Sequence, residues 1–377
     1  MTKKNQEFFF ELIRAGLWGA GNPEVRIDET TDWIYMYRLA QEQSVQGLVL
    51  QGVEWFKNHN DSLNIPQFLL LQWIGEVQVI EQRNKEMNVF IADLIQKLRN
   101  NNIYTILVKG QGLAQCYDRP LWRSAGDIDF YLSEDNFKNA KSFFRPLVGR
   151  FNPDNDDAKN IGFKYGKWDI ELHDNQDTRL SKKIDNALRD IHNDLFCRGN
   201  VRHCEISNIQ VFLPSPNNDI LIVFTHFLKH FYKGGLGLRQ ICDWCRLLWT
   251  YRAEIDCNLL EQRLEKMGLI SEWLAFARYA VEWLGIPADA MPLYSKDDKW
   301  GKKAYRINSF VMEVGNMGQN RNNLFYDKKS FVVRKVYSFC RRINDAFRHI
   351  SIFPLDSFRF MPSILLNGIK LAAKGIG

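Results

Sequence analysis

The sequence predicts an α+β protein in which two helical regions flank a short segment rich in strands. Residues 5–100, and again those from 217 onward, carry apolar side chains at helical spacing. Between them, short apolar and β-branched runs at residues 103–108, 127–132 and 162–173 are punctuated by glycine, as is typical of strands. A sheet enclosed by helices is therefore expected.

The first region, residues 1–83, is predicted to be helical. Residues 5–15 are amphipathic, and residues 31–43 carry W-I-Y-M-Y-R-L-A at helical spacing. Residues 65–99 form one long mixed run without proline after Pro66, which predicts a long helix that continues beyond this region.

The second region, residues 84–213, is predicted to hold the sheet and the chemistry. Its predicted elements are a strand at 103–108, a short helix after the turn K-G-Q-G, a strand at 127–132, a helix from Ser133 to near Pro146, and a hairpin at 162–165 and 168–173 around Gly166-Lys167. The polar stretch at residues 152–160 is predicted to be a loop.

The third region, residues 214–377, is predicted to be helical with a basic tail. P-N-N-D stands at a capping position before I-L-I-V-F-T-H-F-L-K-H-F, and further helices are expected at 243–250, 259–267 and 271–283. The tail from Lys328 is basic and aromatic. Its last stretch fits either an interfacial helix on a membrane surface or a solvated or packed terminal helix.

Composition indicates a soluble globular protein and argues against several other classes. The chain has 45% hydrophobic and 25% charged residues and a net charge of +6, which is too small an excess to indicate nucleic-acid binding. The apolar start is interrupted by Glu11 and Arg14, so neither a signal peptide nor a transmembrane segment is predicted. Seven scattered cysteines fit reduced thiols, and a cytoplasmic location is expected.

Two carboxylates stand in the middle of the apolar run S-A-G-D-I-D-F-Y-L. Side chains alternate along a strand, so Asp127 and Asp129 share one face and repel each other unless a cation lies between them. Mg²⁺ takes this kind of oxygen ligand and keeps sites for substrate phosphates. The alternative is an edge strand whose aspartates are solvated or paired with Arg119 or Arg123, and an isolated D-x-D favours that alternative.

The surroundings of the two aspartates favour a metal site. Upstream, the turn K-G-Q-G offers backbone N–H groups and a lysine to a polyphosphate. Downstream, W-D-I-E-L-H-D places Asp169, Glu171 and His173 on one strand face, so either acidic residue is a candidate third carboxylate. Three carboxylates, a glycine turn and Arg123 suit phosphoryl or nucleotidyl transfer.

Two long motifs resemble a known family. The run L-V-K-G-Q-G-L-A-Q-C-Y-D-R-P-L-W-R-S-A-G-D-I-D-F-Y-L, with H-F-L-K-H-F-Y-K-G-G-L-G-L-R-Q-I-C-D-W, closely resembles the uncharacterised nucleotidyltransferase family common in gut Bacteroides-type bacteria. That family lies within the DNA polymerase beta-like nucleotidyltransferase superfamily. The resemblance spans L-I-R-A-G-L-W-G to about Trp283 and implies a mixed-sheet nucleotidyltransferase core. It also implies Asp127 and Asp129 as metal ligands and Glu171 as the third acidic residue.

The sequence departs from the superfamily pattern at the turn after the first strand. A Gly-Ser pair usually stands there, whereas this chain has Lys109-Gly110-Gln111 and lacks the serine that would touch phosphate. Glu171 is preferred to Asp169 because it directly precedes Leu172-His173, as an acidic residue does in the related pattern.

The resemblance and the residues together predict Mg²⁺-dependent or Mn²⁺-dependent transfer of a nucleoside monophosphate. The donor would be an NTP such as ATP, the acceptor an unknown hydroxyl or phosphate, and the by-product pyrophosphate. The predicted catalytic residues and metal ligands are Asp127, Asp129 and Glu171. The predicted nucleotide-binding residues are Lys109, Gly110, Gln111 and Arg123.

Two other functions stay open from the sequence. The enzyme could be a toxin or defence nucleotidyltransferase that modifies tRNA or protein, or the altered turn could mark a nucleotide-binding scaffold without turnover. Outside the sheet, His226 and His230 stand at i, i+4, and Arg239 and Asp243 follow them. For these four residues a structural role is preferred to a functional one, although they stand where they could face the cleft.

Overall fold

The structure is a computed structural model that describes residues 3–22, 31–59, 63–148, 151, 160–175, 177–316 and 331–362. The predicted loop at residues 152–160, except for its last residue, lies outside the described residues. So does the predicted amphipathic stretch at the end of the tail.

In the described part of the chain four helices precede the sheet, and they confirm the helical character predicted there. They are α1 (Lys3–Trp18), α2 (Trp33–Glu42), α3 (Gln46–His59) and α4 (Gln67–Arg99). Asp32 caps α2 by accepting a hydrogen bond from the Tyr35 backbone N–H. Helices α1 and α3 touch closely, because a Cβ on Gly52 would lie 1.9 Å from the Leu12 carbonyl oxygen.

A four-stranded mixed sheet forms the centre of the chain, as predicted. Its strands are β1 (Ile106–Val108), β2 (Ile128–Tyr131), β3 (Asn160–Tyr165) and β4 (Trp168–His173). They lie in the order β1-β2-β4-β3, with β2 and β4 parallel and the two outer pairs antiparallel. The short helix α5 (Gly110–Ala114) follows β1, and α6 (Glu134–Val148) follows β2.

A helix and a hairpin after β4 were not predicted. They are α7 (Lys182–Cys197), β5 (Val201–Ile206) and β6 (Ile209–Pro214). Ser207 and Asn208 connect the two strands and have φ angles of 47° and 63°. Two consecutive positive φ angles are the mark of a type I′ hairpin turn, so the pair Ser-Asn was the available sequence signal.

Six helices follow the hairpin among the residues that the structure describes, and the predicted helical character is confirmed here too. They are α8 (Pro216–Lys233), α9 (Leu238–Thr250), α10 (Cys257–Met267), α11 (Ile270–Leu284), α12 (Asp298–Val314) and α13 (Phe331–Ile352). Helix α9 begins five residues before its predicted start, because the Gln240 side chain accepts a hydrogen bond from the Gly237 N–H and so caps it.

The sheet separates two hydrophobic clusters. One face, with Phe130 and Ile170, packs against α4 and α6, while the other face contributes Val108 and Tyr131 to a larger cluster of helices from both ends of the chain. The division at residues 83/84 and 213/214 stays a prediction, and α4 runs through the first of these boundaries as one helix. The second face of the sheet carries the candidate site, which is a cleft that α8 and α9 also line.

No helix among the described residues combines the length and the apolar character needed to cross a membrane.

A buried carboxyl group on α11 gives the fold a predicted pH dependence. Glu272 is fully buried, and its Oε1 accepts a hydrogen bond from the Tyr232 hydroxyl at 3.0 Å. Burial, followed by the charge of Asp356, raises the pKa of Glu272 from 4.5 to about 8. The folded state therefore holds this proton more tightly than the unfolded state, so this group lowers the stability progressively as the pH rises from 4.5 towards 8.

We expect Glu272→Gln to remove this fall in the free energy of unfolding with rising pH. It should stabilise the fold at pH 8 by on the order of 3 kcal/mol, because glutamine stays neutral. Urea unfolding of both proteins at pH 5 and pH 8 measures the difference. Glu261→Gln on the exposed side of α10 is the matched control and should leave the slope unchanged. Equal slopes in the wild type and in Glu272→Gln would contradict the prediction.

Candidate active site

Two acidic side chains meet where β2 and β4 run side by side. Asp129 on β2 is in register with Glu171 on β4, and His173 follows two residues later on the same face of β4. Neighbouring parallel strands lie about 4.8 Å apart, so side chains in register on one face come together. Ligating atoms of these three residues indeed lie within 4.8 Å of one another.

Asp129 is the most enclosed of the predicted carboxylates, with 2% of its surface exposed. Its Oδ1 accepts hydrogen bonds from Lys109 Nζ at 2.8 Å and from His173 Nε2 at 2.9 Å. Burial opposes its ionisation, but the Lys109 charge and the His173 hydrogen bond hold the pKa of Asp129 well below its ordinary value. Asp129 is therefore a buried carboxylate kept in its charged form.

Asp127 and Glu171 complete the predicted acidic triad around the same cleft. The charge of Asp129, and then burial, raises the pKa of Asp127. The hydrogen bond from His173 lowers the pKa of Glu171, although burial opposes this shift. The structure thus brings all three predicted carboxylates to one cleft, and the like charge that raises the pKa of Asp127 is one that a bound cation would offset.

The alternative third carboxylate lies elsewhere on the same strand face. Asp169 is exposed and forms an ion pair with Lys164 at 3.0 Å. It stands opposite Lys164 in the β3–β4 hairpin and does not line the cleft. Of the two acidic residues that the sequence left open, Glu171 is the one that faces Asp129.

The turn after β1 brings the Lys109 side chain to Asp129. Lys109 has φ 58° and ψ −143°, a conformation that is unfavourable for a residue with a side chain, and Gly110 follows with φ 38°. Both residues line the cleft. Burial would lower the pKa of Lys109, but the charges of Asp129 and Asp127 outweigh it and raise that pKa.

Two of the predicted nucleotide-binding side chains have partners outside the acidic triad. Gln111 is buried, its Nε2 donates to Asn84 Oδ1 at 2.9 Å, and it does not line the cleft. Arg123 lines the cleft, but its Nε and Nη2 donate to the two carboxylate oxygens of Asp243, each at 2.7 Å. The sequence predicts that Arg123 contacts phosphate, with an ion pair to Asp127 or Asp129 as the alternative, and its observed ion-pair partner is Asp243.

The opposite wall of the cleft comes from α8 and α9. The cleft encloses about 170 Å³ and is lined there by His226, Lys229, His230, Arg239 and Asp243. The Nε2 atoms of the two histidines lie 3.1 Å apart.

The surroundings of the two histidines of this wall favour their neutral forms. Burial first, and then nearby lysines, hold the pKa of His226 well below its ordinary value and lower that of His230 to about 3. Sequence reasoning preferred a structural role for this pair, and it gave Lys229 and His173 no role. The signal for Lys229 was H-F-L-K-H, which places it three residues after His226 and therefore on the same face of the helix.

The acidic wall fits a hard divalent ion. Asp129 and Glu171 offer carboxylate oxygens within one small volume, with Asp127 beside them, and such oxygens are preferred by Mg²⁺ and Mn²⁺. His173 belongs to the same group, but imidazole suits softer ions, and its Nε2 already bonds to Asp129. The carboxylates are therefore the ligands that fit, and His173 orients one of them.

Comparison with known proteins identifies the family. A family model described as an uncharacterised nucleotidyltransferase matches residues 29–285, which is more than half of the chain. No curated protein and no solved structure matches the chain. The matched residues include the acidic triad and both walls of the cleft, and the proposed link to Bacteroides-type bacteria stays a prediction. The chain therefore belongs to the uncharacterised nucleotidyltransferase family, whose members are transferases of phosphorus-containing groups.

Proposed function

We propose that the protein transfers a nucleoside monophosphate from an NTP to a hydroxyl or phosphate acceptor and releases pyrophosphate. The observation that carries the proposal is the register of Asp129 with Glu171 on neighbouring parallel strands, with Asp127 on the same cleft. Catalysis of such transfers rests mainly on positioning the phosphates and stabilising their charge. A cleft with acidic groups on one wall and cationic groups on the other suits this task.

Each residue of the acidic wall has a distinct proposed role. Asp127, Asp129 and Glu171 would hold Mg²⁺ or Mn²⁺, which when bound neutralises charge on the phosphates. Lys109 and His173 hold Asp129 ionised and fix its orientation through its Oδ1. Glu171 is about half exposed, with 47% of its side-chain surface accessible, and it is the candidate base that accepts the proton of an acceptor hydroxyl.

Calorimetric titration with each NTP, ATP first, tests the proposal in the presence and absence of Mg²⁺ or Mn²⁺. We expect metal-dependent binding to the wild type and at least about tenfold weaker binding to the Asp127→Asn, Asp129→Asn double variant, because two ligands of the cation are lost. Asp169→Asn is the matched control, since it removes a carboxylate from the same strand face outside the cleft. Equal, metal-independent binding by all three proteins would contradict the acidic site.

A nucleotide-binding scaffold is the second candidate, and one observation favours it. Lys109 and His173 both bond to the same oxygen of Asp129, so two hydrogen-bond donors compete with a metal for that atom. Pyrophosphate release separates the candidates. An enzyme releases pyrophosphate when the NTP, the metal and an acceptor are present, whereas a scaffold binds the NTP and leaves it intact.

A further inference from the structure

The phosphate contacts predicted from the sequence are largely engaged with other groups. Lys109 forms an ion pair with Asp129, and Arg123 forms a bidentate ion pair with Asp243. The Gln111 side chain points away from the cleft and bonds to Asn84. A triphosphate that enters this cleft needs cationic partners beyond these side chains.

Two cations on the opposite wall are available. Lys229 on α8 and Arg239 on α9 both line the cleft and are partly buried. Within the described parts of the chain, Lys229 has no ion pair, and Arg239 has no carboxylate within ion-pair distance. Arg239 Nη1 donates to the Ser124 carbonyl oxygen at 2.7 Å, whereas its Nε is buried without a hydrogen-bond partner. A buried donor without an acceptor is costly, and an anion in the cleft would offer an acceptor beside these two cations.

The pKa shifts of Lys229 and Arg239 are consistent with an anion-binding wall. Burial, followed by the charge of Lys109, lowers the pKa of Lys229. Burial, followed by the charge of Arg123, lowers the pKa of Arg239. The fold thus holds cations close to one another at a cost, and an anion placed among them would relieve the repulsion.

We propose that Lys229 and Arg239 bind the β- and γ-phosphates of the NTP, and the pyrophosphate product, from the wall opposite the acidic triad. The inference rests on the proposed function for the identity of the anion. Arginine and lysine are the two side chains best suited to phosphate oxygens, because the guanidinium can donate two parallel hydrogen bonds and the ammonium carries a compact charge. The neutral histidines beside them offer polar contacts without adding charge.

Binding of sodium tripolyphosphate to the full chain tests the inference without nucleotide or turnover. Calorimetry in the presence of Mg²⁺ should show binding by the wild type and about tenfold weaker binding, or more, by Lys229→Gln and by Arg239→Gln, because each loses a charge-assisted hydrogen bond. Lys233→Gln is the matched control: it removes the same charge one turn further along α8, where the lysine donates to the Thr178 carbonyl oxygen. It should change the affinity by less than about threefold.

Two further measurements keep the outcomes separate. Mn²⁺ binding, followed by electron paramagnetic resonance, should be retained by both variants, because neither residue belongs to the acidic wall. If a Gln variant fails to fold, Lys229→Arg and Arg239→Lys replace it: the first should keep most of the affinity, and the second should lose part of it with the arginine fork.

The inference is overturned if tripolyphosphate does not bind the wild type, or if it binds the wild type and the Gln variants equally. Loss of tripolyphosphate binding in both variants supports it, even where no NTP yields pyrophosphate. In that last case the phosphate-binding role of Lys229 and Arg239 is supported and the proposed transfer reaction is not. The two conclusions are therefore tested independently.

Discussion

Asp129→Asn is expected to reduce nucleotidyl transfer by about 100-fold or more, because metal-assisted charge stabilisation contributes several kcal/mol to the transition state. Asparagine has nearly the same shape as aspartate, but it lacks the negative charge that a divalent cation and the Lys109 ammonium both need. Pyrophosphate release at saturating NTP and metal measures the loss. Mn²⁺ affinity, measured on the same samples, should fall as well.

Asp169→Asn provides the control for this experiment. It makes the same chemical change on the β4 face that carries Glu171, but at an exposed residue that pairs with Lys164. Its activity should stay within about twofold of the wild type, because exposed ion pairs contribute little. A large loss in Asp169→Asn together with full activity in Glu171→Gln would reverse the choice of the third carboxylate.

Folding must be measured alongside activity in Asp129→Asn. The substitution leaves the ammonium group of Lys109 beside a neutral amide in a buried place, which costs stability. Urea unfolding separates the two effects. A variant that remains folded under assay conditions and yet keeps wild-type turnover would refute the proposed metal-ligand role of Asp129.

Asp243→Asn is expected to destabilise the fold by about 3–5 kcal/mol, because it leaves the buried Arg123 guanidinium without its counter-charge. Only 5% of each side chain of this ion pair is exposed, and both carboxylate oxygens accept from Arg123 at 2.7 Å. The Tyr117 hydroxyl donates to the same carboxylate at 2.8 Å. The pair therefore joins α9 to the loop that leads into β2, and urea unfolding measures its contribution.

The double variant Arg123→Met, Asp243→Leu should recover much of this loss, because an apolar pair leaves no buried charge unpaired. Asp190→Asn is the control at an exposed pair, where Asp190 and Lys266 are each more than half exposed, and it should cost less than about 1 kcal/mol. Equal, small effects of Asp243→Asn and Asp190→Asn would show that the Arg123 pair is not structural.

The same double variant tests the predicted contact between Arg123 and phosphate. If Arg123 has only a structural role, the affinity of the folded double variant for tripolyphosphate should lie within about threefold of that of the wild type, since Lys229 and Arg239 remain. A loss as large as that in Lys229→Gln would instead place the Arg123 guanidinium on the phosphate.

Most elements of the fold were predictable because their signals are local. Helical spacing identified α1, α2, α4 and α8, and alternation with glycine turns identified the hairpin of β3 and β4. The hairpin of β5 and β6 was missed even though its turn has two positive φ angles, because Ser-Asn is a weaker turn signal than Asn-Gly.

The sequence alone determined which residues are the candidates for the chemistry. The pattern D-x-D, the acidic residues of W-D-I-E-L-H-D and the long family motifs pointed to Asp127, Asp129 and Glu171 before any coordinates. The placement of Asp127 and Asp129 on one face needed only the two-residue period of a strand, and their repulsion suggested a cation. The choice of Glu171 rested on the resemblance to the family.

The tertiary structure decided which of these residues meet, and which cations line the cleft opposite them. The parallel register of β2 and β4 placed Glu171, and not Asp169, opposite Asp129. The packing of α9 against the loop before β2 committed Arg123 to Asp243. Strand register and ion pairing join residues far apart in the chain, so local periodicity cannot specify them, whereas the packing of the whole core does.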